Sequence, residues 1–393
     1  MKKTLFSAAL LTATTALSFP VFAQTAKTEA SGLPIELQVG GYMTWYGTYG
    51  NQRKTTLVRG REIGNYNYVD LIGNAEIYFS GKTKLDNGVE IGAMVQLEAG
   101  TDSDTSDQVI DETYMTIDSK AGRVIVGNVK NVSNQMSVTA PNVSTLGVQE
   151  TDFRRIIAAP DGFYYSKATY AFLDDISTKM SYITPTFSGF TFGVSLMPGN
   201  KQKGKDSDTF LRNVDGIKLF KYGADAAALY EHDFGGFNLS ASATYTVYKP
   251  NMEANAFPGK EDNVNEYGGG LNIGIGNWTI GGSYHYTNMS RDVDNFLHPH
   301  ANMAKGYAWD AGVKYAAGPF ETSATVFQSR GENRNFEHKK DVYTQYQISG
   351  TYTIIKGIKA FMDVAYLDFK SASANREDSN KGPAVAIGMD LSF

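Results

Sequence analysis

The sequence predicts an all-β protein, a single transmembrane antiparallel β-barrel of sixteen strands with short turns at one end and long loops at the other. Three observations predict it. Segments in which apolar and polar residues alternate with a period of two recur from residue 36 to the end of the chain. Glycine-rich turns and long polar stretches interleave strictly between those segments. The chain opens on an export signal, yet no later run approaches the ~18 apolar residues of a membrane helix.

The export signal is "MKKTLFSAALLTATTALSFPVFAQ". Lys2 and Lys3 precede a short apolar run, and Val21-Phe22-Ala23 offers small residues for cleavage. Residues 1–23 are expected to be removed. A membrane anchor is the competing reading, but the run is short for a span and a cleavage site follows it. Residues 24–35 form a lead-in, and 36–393 form the one barrel domain.

The predicted strands lie near 36–50, 68–85, 89–99, 107–119, 122–130, 177–185, 189–197, 222–234, 236–248, 265–276, 277–288, 306–317, 319–330, 341–355, 357–369 and 383–393. Each is about the ~9–11 residues a tilted strand needs to cross a bilayer, or longer. The second shows Val69, Leu71, Ala75, Ile77 and Phe79 on one face and Asp70, Asn74, Glu76, Tyr78 and Ser80 on the other. The ninth sets Leu239, Ala241, Ala243, Tyr245 and Val247 against Asn238, Ser240, Ser242, Thr244 and Thr246. Turns such as Asp86-Asn87-Gly88, "SGF" (188–190) and "KG" (356–357) are hairpin signals. Seven short turns alternate with eight long stretches, the longest being 131–176. All the hairpins therefore close on one side.

In hydrocarbon every backbone polar group needs a partner inside the protein, so a spanning sheet must close on itself. A soluble β-sandwich also alternates, but nothing in a sandwich sorts long loops to one end. Aromatic residues gather near strand ends, among them Trp45, Tyr78, Phe79, Phe190, Tyr248, Trp278, Tyr286, Trp309, Phe320, Tyr343 and Tyr366. They suggest the two girdles of a membrane barrel. The last strand, "AVAIGMDLSF", must pair with the first near Leu37 and Val39, its outward face ending on Leu391 and Phe393.

Composition excludes several function classes. A formal net charge of −5 argues against a nucleic-acid binder, which would carry a basic stripe. With no cysteine, thiolate metal sites and cysteine nucleophiles are excluded. "TDSDTSD" (101–107) starts like a calcium loop but lacks its glycine and terminal glutamate. His298-Pro299-His300 has no carboxylate motif beside it and reads as solvated loop, so no metal or cofactor is expected. No nucleophile–base pair stands out, which predicts no catalytic residue and no enzyme.

Three stretches, "ETYMTIDSKAGRVIVGN" (112–128), "KMSYITPTFSGFTFGVSLMPG" (179–199) and the terminal strand, resemble the general bacterial diffusion porins of Gram-negative outer membranes. The resemblance implies a sixteen-stranded homotrimer in the outer membrane, with a third loop folded into a water-filled lumen. It implies passive diffusion of small hydrophilic solutes and ions. It further implies contact with outer-membrane lipids and lipopolysaccharide, and a terminal Phe393 read by the barrel-assembly machinery. The long stretch 131–176 stands where the third loop belongs.

One departure bears on the pore. Where the family carries Gly-Arg at the end of strand five, this chain has Gly127-Asn128, and the nearest cation is Lys130. The expected wall is Glu76, Gln96, Glu98, Glu112 and Lys130, and it is largely acidic. The loop contributes Glu150, Asp152, Arg154 and Arg155. Two roles fit that quartet, lining the constriction and pinning the loop as an ion-pair network. Charged rings set pore selectivity, so the acidic balance leans toward cations. The competing functions are a structural or host-contact barrel and a barrel lipid hydrolase.

Overall fold

The computed structural model describes residues 22–28, 35–57, 63–99, 110–149, 153–171, 176–198, 220–252, 257–294, 305–333, 335–336 and 339–393. Sixteen strands close into one antiparallel ring. In chain order they are β1 (Ile35–Gly50), β2 (Val69–Lys84), β3 (Glu90–Glu98), β4 (Ile110–Ser119), β5 (Gly122–Lys130), β6 (Ile176–Ile183), β7 (Phe190–Met197) and β8 (Phe220–Asp233). The second half is β9 (Asn238–Pro250), β10 (Val264–Ile275), β11 (Trp278–Asn288), β12 (Gly306–Ala317), β13 (Phe320–Glu332), β14 (Lys340–Ile355), β15 (Ile358–Lys370) and β16 (Asn380–Ser392). Each strand pairs with the next, and β16 returns to β1. Every predicted segment is a strand, with ends displaced by three residues or fewer. Among the described residues no helix is long and apolar enough to cross a membrane.

The turn between β6 and β7 shows how tightly the hairpins close. Phe187 and Phe190 exchange both backbone bonds at 2.9 Å. The two residues between them take positive φ, 49° at Ser188 and 85° at Gly189. Two left-handed residues in a row match the twist of the flanking strands, and glycine meets that demand without steric cost.

The sheet is apolar on the outside and polar within. Val69, Ile280 and Ile348 are 69%, 61% and 64% exposed. Ser195, Gln345 and Asp363 are fully buried. That distribution suits a lipid-facing exterior. Aromatic pairs ring the turn side: Phe190–Tyr230 at 4.5 Å, Trp278–Tyr315 at 4.6 Å and Phe320–Tyr352 at 4.6 Å between centroids. Tyr245–Tyr267 at 5.2 Å and Tyr284–Tyr307 at 5.9 Å ring the loop side. Three predicted girdle residues instead face inward. Tyr248 and Tyr343 are buried, and the Tyr78 hydroxyl donates to Glu76. Alternation decides this: each sits one position out of phase with the apolar outer row.

The closing register also differs from expectation. Leu391 pairs with Met43 and Ser392 with Tyr42, and Phe393 exchanges both backbone bonds with Gly41 at 2.9 and 3.1 Å. Strand β16 runs out before it reaches Leu37 and Val39. A further strand, Phe22–Thr28, takes that edge, with Gln24 opposite Val39 and Ala26 opposite Leu37. The lead-in therefore carries strand structure of its own. As predicted, Ile387, Met389, Leu391 and Phe393 are exposed on the outer face. Asp390 faces inward and accepts a hydrogen bond from Thr44 Oγ1 at 2.7 Å.

Candidate pore constriction

After β5 the chain turns back into the barrel. The Asn131 side chain caps the short helix Val132–Gln135 by accepting from the Asn134 amide at 3.3 Å. From there the loop runs along the inner wall. Val132 N donates to Ser195 Oγ on β7 at 3.1 Å, Ser133 N to Asp225 Oδ2 on β8 at 2.6 Å, and Val138 N to Ser242 Oγ on β9 at 2.8 Å. Ala140 N donates to Asp310 Oδ1 on β12 at 3.1 Å, and Val143 N to Ser323 Oγ on β13 at 3.2 Å. Farther round, Ser144 Oγ donates to Asp363 on β15 and Thr145 Oγ1 to Asp390 on β16.

The returning limb uses the same wall. Tyr164 N donates to Asp341 Oδ2 on β14 at 2.8 Å, and Ser166 N to Ser329 Oγ on β13 at 2.7 Å. Gln149 and Thr169 both donate to Asp310. Gln52, just past β1, clamps the intervening turn: its Nε2 donates to Ile156 O at 2.9 Å and its Oε1 accepts from Ala158 N at 2.8 Å. Loop backbone that would otherwise be buried without partners is thus satisfied by wall side chains. Where the acceptor is one of the wall aspartates, a charged acceptor strengthens the bond.

Apolar packing completes the attachment. Leu146, Phe153, Ile157 and Phe163 of the loop are buried against Tyr46, Phe327, Phe361 and Phe369 of the wall. Edge-on ring pairs Phe163–Phe369 at 5.5 Å and Tyr165–Tyr343 at 5.3 Å fix the geometry. Close approach also needs a missing side chain. A Cβ at Gly270 on β10 would overlap the Val138 carbonyl.

A second cluster lies on the inner face of β1 to β4. Glu76 accepts from Tyr42 OH at 2.9 Å and from Tyr78 OH at 2.8 Å. Gln96 Nε2 donates to Glu76 and, at 2.9 Å, to Asp111 Oδ2. Glu98 is the register partner of Glu76 and shares its face. Glu112 follows Asp111 at an irregularity where the β3–β4 register shifts between Val95 and Leu97. The structure therefore brings Glu76, Gln96 and Glu98 together as one acidic, tyrosine-edged ledge and adds Asp111 to it. Toward the turns, Arg123 pairs with Asp118, and Lys82 lies 3.8 Å from Glu90.

Of the loop quartet, Glu150 and Asp152 lie outside the described residues. Arg154 donates to Tyr165 OH at 3.0 Å, with its guanidinium 5.9 Å from that ring centre. Arg155 is exposed. Both arginines line a cavity of about 470 Å³ that also holds Asp70, Tyr66 and Asn67. Lys130 differs from its expected place. It shares a face with Val126, which is exposed on the outside, because alternation along β5 sends 126, 128 and 130 outward together. The motifs at 101–107 and 298–300 lie outside the described residues. Among the described residues no group of three metal-ligating side chains occurs.

Besides Asp111, the residues that sequence reasoning missed are Asp225, Asp310, Asp341 and Asp363. Each is a buried wall carboxylate that accepts a hydrogen bond from the loop. A signal existed: these aspartates recur at the inward phase of strands β8, β12, β14 and β15, where serine or threonine would satisfy the pattern equally well.

A family model described as Gram-negative porin matches residues 7–372. An uncharacterized protein of Rickettsia bellii (strain RML369-C) is 23% identical over 374 residues, covering 79% of this chain and 82% of its own length. The anion-selective porin from Comamonas acidovorans superposes with a TM-score of 0.59 at 14% identity, over 91% of this chain and all of its own. OmpT of Vibrio cholerae, an outer-membrane protein solved in its trimer form, gives a TM-score of 0.55 at 10% identity over 91% of this chain and 99% of its own. These two likenesses concern the fold.

Proposed function

The chain belongs to the Gram-negative porin family, and we propose that it forms a water-filled channel through which small hydrophilic solutes and ions diffuse passively across the outer membrane. The reading is of a homotrimeric channel and not of an enzyme. It has residues 1–23 removed on export, lipopolysaccharide around the barrel, and Leu391 and Phe393 at the end read by the assembly machinery. The trimer form of the Vibrio protein supports the oligomer.

One observation carries the reading. Loop segments 131–149 and 153–171 are bonded to the inner wall, the first from β7 round to β16. The remaining lumen then lies between that loop and the ledge on β1 to β4. Solutes pass between Glu76, Glu98, Glu112 and Asp111 on the wall and Arg154 and Arg155 on the loop. The wall carries the greater charge, so cations are favoured, by the same field effect that filters ions in other pores. The Comamonas relative is described as anion-selective, so the sign of selectivity separates the two proteins.

The test is a planar-bilayer recording of the purified protein under a KCl gradient. Stepwise ohmic currents with a reversal potential of cation sign are expected. E76Q with E98Q should move that potential toward zero or reverse it. Well-folded protein that passes no current would end the channel reading. An anion-signed potential would overturn the role given to the ledge.

A further inference from the structure

Arg154 is held from behind. Its Nη1 donates to Tyr165 OH at 3.0 Å, and the Tyr165 ring meets Tyr343 edge-on with centroids 5.3 Å apart. The Arg154 charge also lies within electrostatic reach of Tyr343. Tyr343 is buried on β14, stacked on Phe369 at 4.5 Å. From its hydroxyl a line of side chains runs along β14 toward the turns. Tyr343 OH donates to Gln345 Oε1, Gln345 Nε2 to Gln347 Oε1 at 2.8 Å, and Gln347 Nε2 to Ser349 Oγ at 3.0 Å. Ser349 donates in turn to the Asp363 carboxylate on β15, which also accepts from Ser144 of the loop. Residues 343, 345, 347 and 349 share the inward phase of one strand, and all four are buried.

One loop carbonyl sets the direction of this line. Gln347 Nε2 also donates to Leu146 O at 2.9 Å, and a carbonyl can only accept. Gln347 must therefore turn its nitrogen to the loop and its oxygen to Gln345. Gln345 must then present its own oxygen to Tyr343, which donates. Every bond points the same way and the line ends on a carboxylate. In such a chain each bond polarises and strengthens the next. Leu146 on the outgoing limb of the loop thus governs how Tyr343 is held beneath Tyr165 on the returning limb.

We propose that Tyr343, Gln345 and Gln347 are positioning residues for ion selection: through Tyr165 they hold Arg154 at the solute path, although all three are buried. The proposal rests on the reading of Arg154 as a charge beside that path. Arg154→Ala tests that reading by itself, because it removes the charge and leaves the line on β14 intact.

The experiment is a double-mutant cycle in planar bilayers under a KCl gradient, with hydrogen exchange measured on the same full-chain proteins. Tyr343→Phe keeps the ring and removes only the hydroxyl. It should raise cation preference in the direction of Arg154→Ala, and by less. Adding Tyr343→Phe to Arg154→Ala should move the reversal potential no further, because the residue being positioned is gone. Gln345→Met breaks the line one step farther from Arg154 and should reproduce Tyr343→Phe. If Gln345→Met fails to fold, Tyr343→Phe decides alone. Exchange at the Leu146 amide, which donates to Ser144 Oγ at 2.8 Å, should quicken by about fivefold in either variant, the effect of one lost hydrogen bond. A shift in Arg154→Ala with none in the β14 variants would overturn the proposal. So would an additive double variant, since Tyr343 would then act on selectivity without Arg154. Unchanged exchange at Leu146 would overturn it too, because nothing would pass along the line to the outgoing limb. No shift in Arg154→Ala would take Arg154 out of the solute path, ending the reading beneath the proposal and the proposal with it.

Discussion

Replacing Asp310 with alanine should release the middle of the inserted loop. The Asp310 carboxylate is buried on β12 and accepts from Ala140 N at 3.1 Å, Ser283 Oγ at 2.6 Å, Thr169 Oγ1 at 3.3 Å and Gln149 Nε2. In Asp310→Ala the two hydroxyls still bond each other across 2.5 Å. Ala140 N–H and the Gln149 amide are left without that acceptor. A hydrogen bond to a charged group contributes about 1.5–3 kcal/mol, so the two together amount to about 3–6 kcal/mol. Hydrogen exchange at Ala140 should then accelerate by about a hundredfold or more, at tenfold per 1.4 kcal/mol. A loop freed from the wall moves into the open lumen, so mean conductance should fall and open-channel noise should rise. Asp310→Asn, which keeps one carbonyl oxygen, should lie between. The barrel itself should stay intact, checked by heat-resistant mobility on a gel. Unchanged exchange across 138–149 together with unchanged noise in the alanine variant would refute the claim that wall aspartates hold the loop.

Three further outcomes follow from the same geometry. Gly270→Val places a side chain where the Val138 carbonyl sits, and should lower conductance in bilayer recordings while leaving the folded barrel in place. Arg154→Ala with Arg155→Ala removes the loop cations from the cavity shared with Asp70, and should raise cation preference in reversal-potential measurements. An unchanged potential and conductance would take both arginines out of the solute path. Deleting Phe393 removes two backbone bonds to Gly41 and an outward ring worth about 1.5–3 kcal/mol when buried. The yield of folded barrel should drop on a gel-shift assay, while the channels that do form conduct as wild type.

The barrel was legible in the sequence because its two strongest signals are local. Alternation fixes which face of Val385, Ile387 and Met389 points outward, and turns such as Ser188-Gly189 fix where each hairpin closes. Glu76, Gln96 and Glu98 could be grouped for the same reason, since adjacent strands in a meander bring their inward residues side by side. The closing register was not legible. Nothing near Leu37 tells how far along β1 the last strand will reach, and the partner lies at the other end of the chain. Lys130 has the charge of a pore-wall residue but the phase of Val126, which sends it outward. Asp111 was missed because the register shift at β3–β4 breaks the alternation that would have revealed it. The loop anchors were hidden for a different reason. Ala140 and Asp310 are 170 positions apart, and pairing them requires knowing that the loop turns inward and how far round it travels.

Asp390 also bears on the order of folding. One carboxylate on the final strand accepts from Thr44 on the first strand and from Thr145 on the inserted loop. The seam and the loop therefore share an atom group that exists in its bonded form only when both are in place. A cylinder that sealed first would face the task of threading a bulky, ring-packed segment through its mouth. The chain avoids that route if the loop is already lying against β7 to β15 when the last strand arrives, so that sealing and seating occur as one cooperative step. Contacts so distant in sequence form slowly. An unsealed intermediate with a half-seated loop is then the species that accumulates during refolding, and a substitution at Asp390 should lengthen its life more than it alters the finished channel.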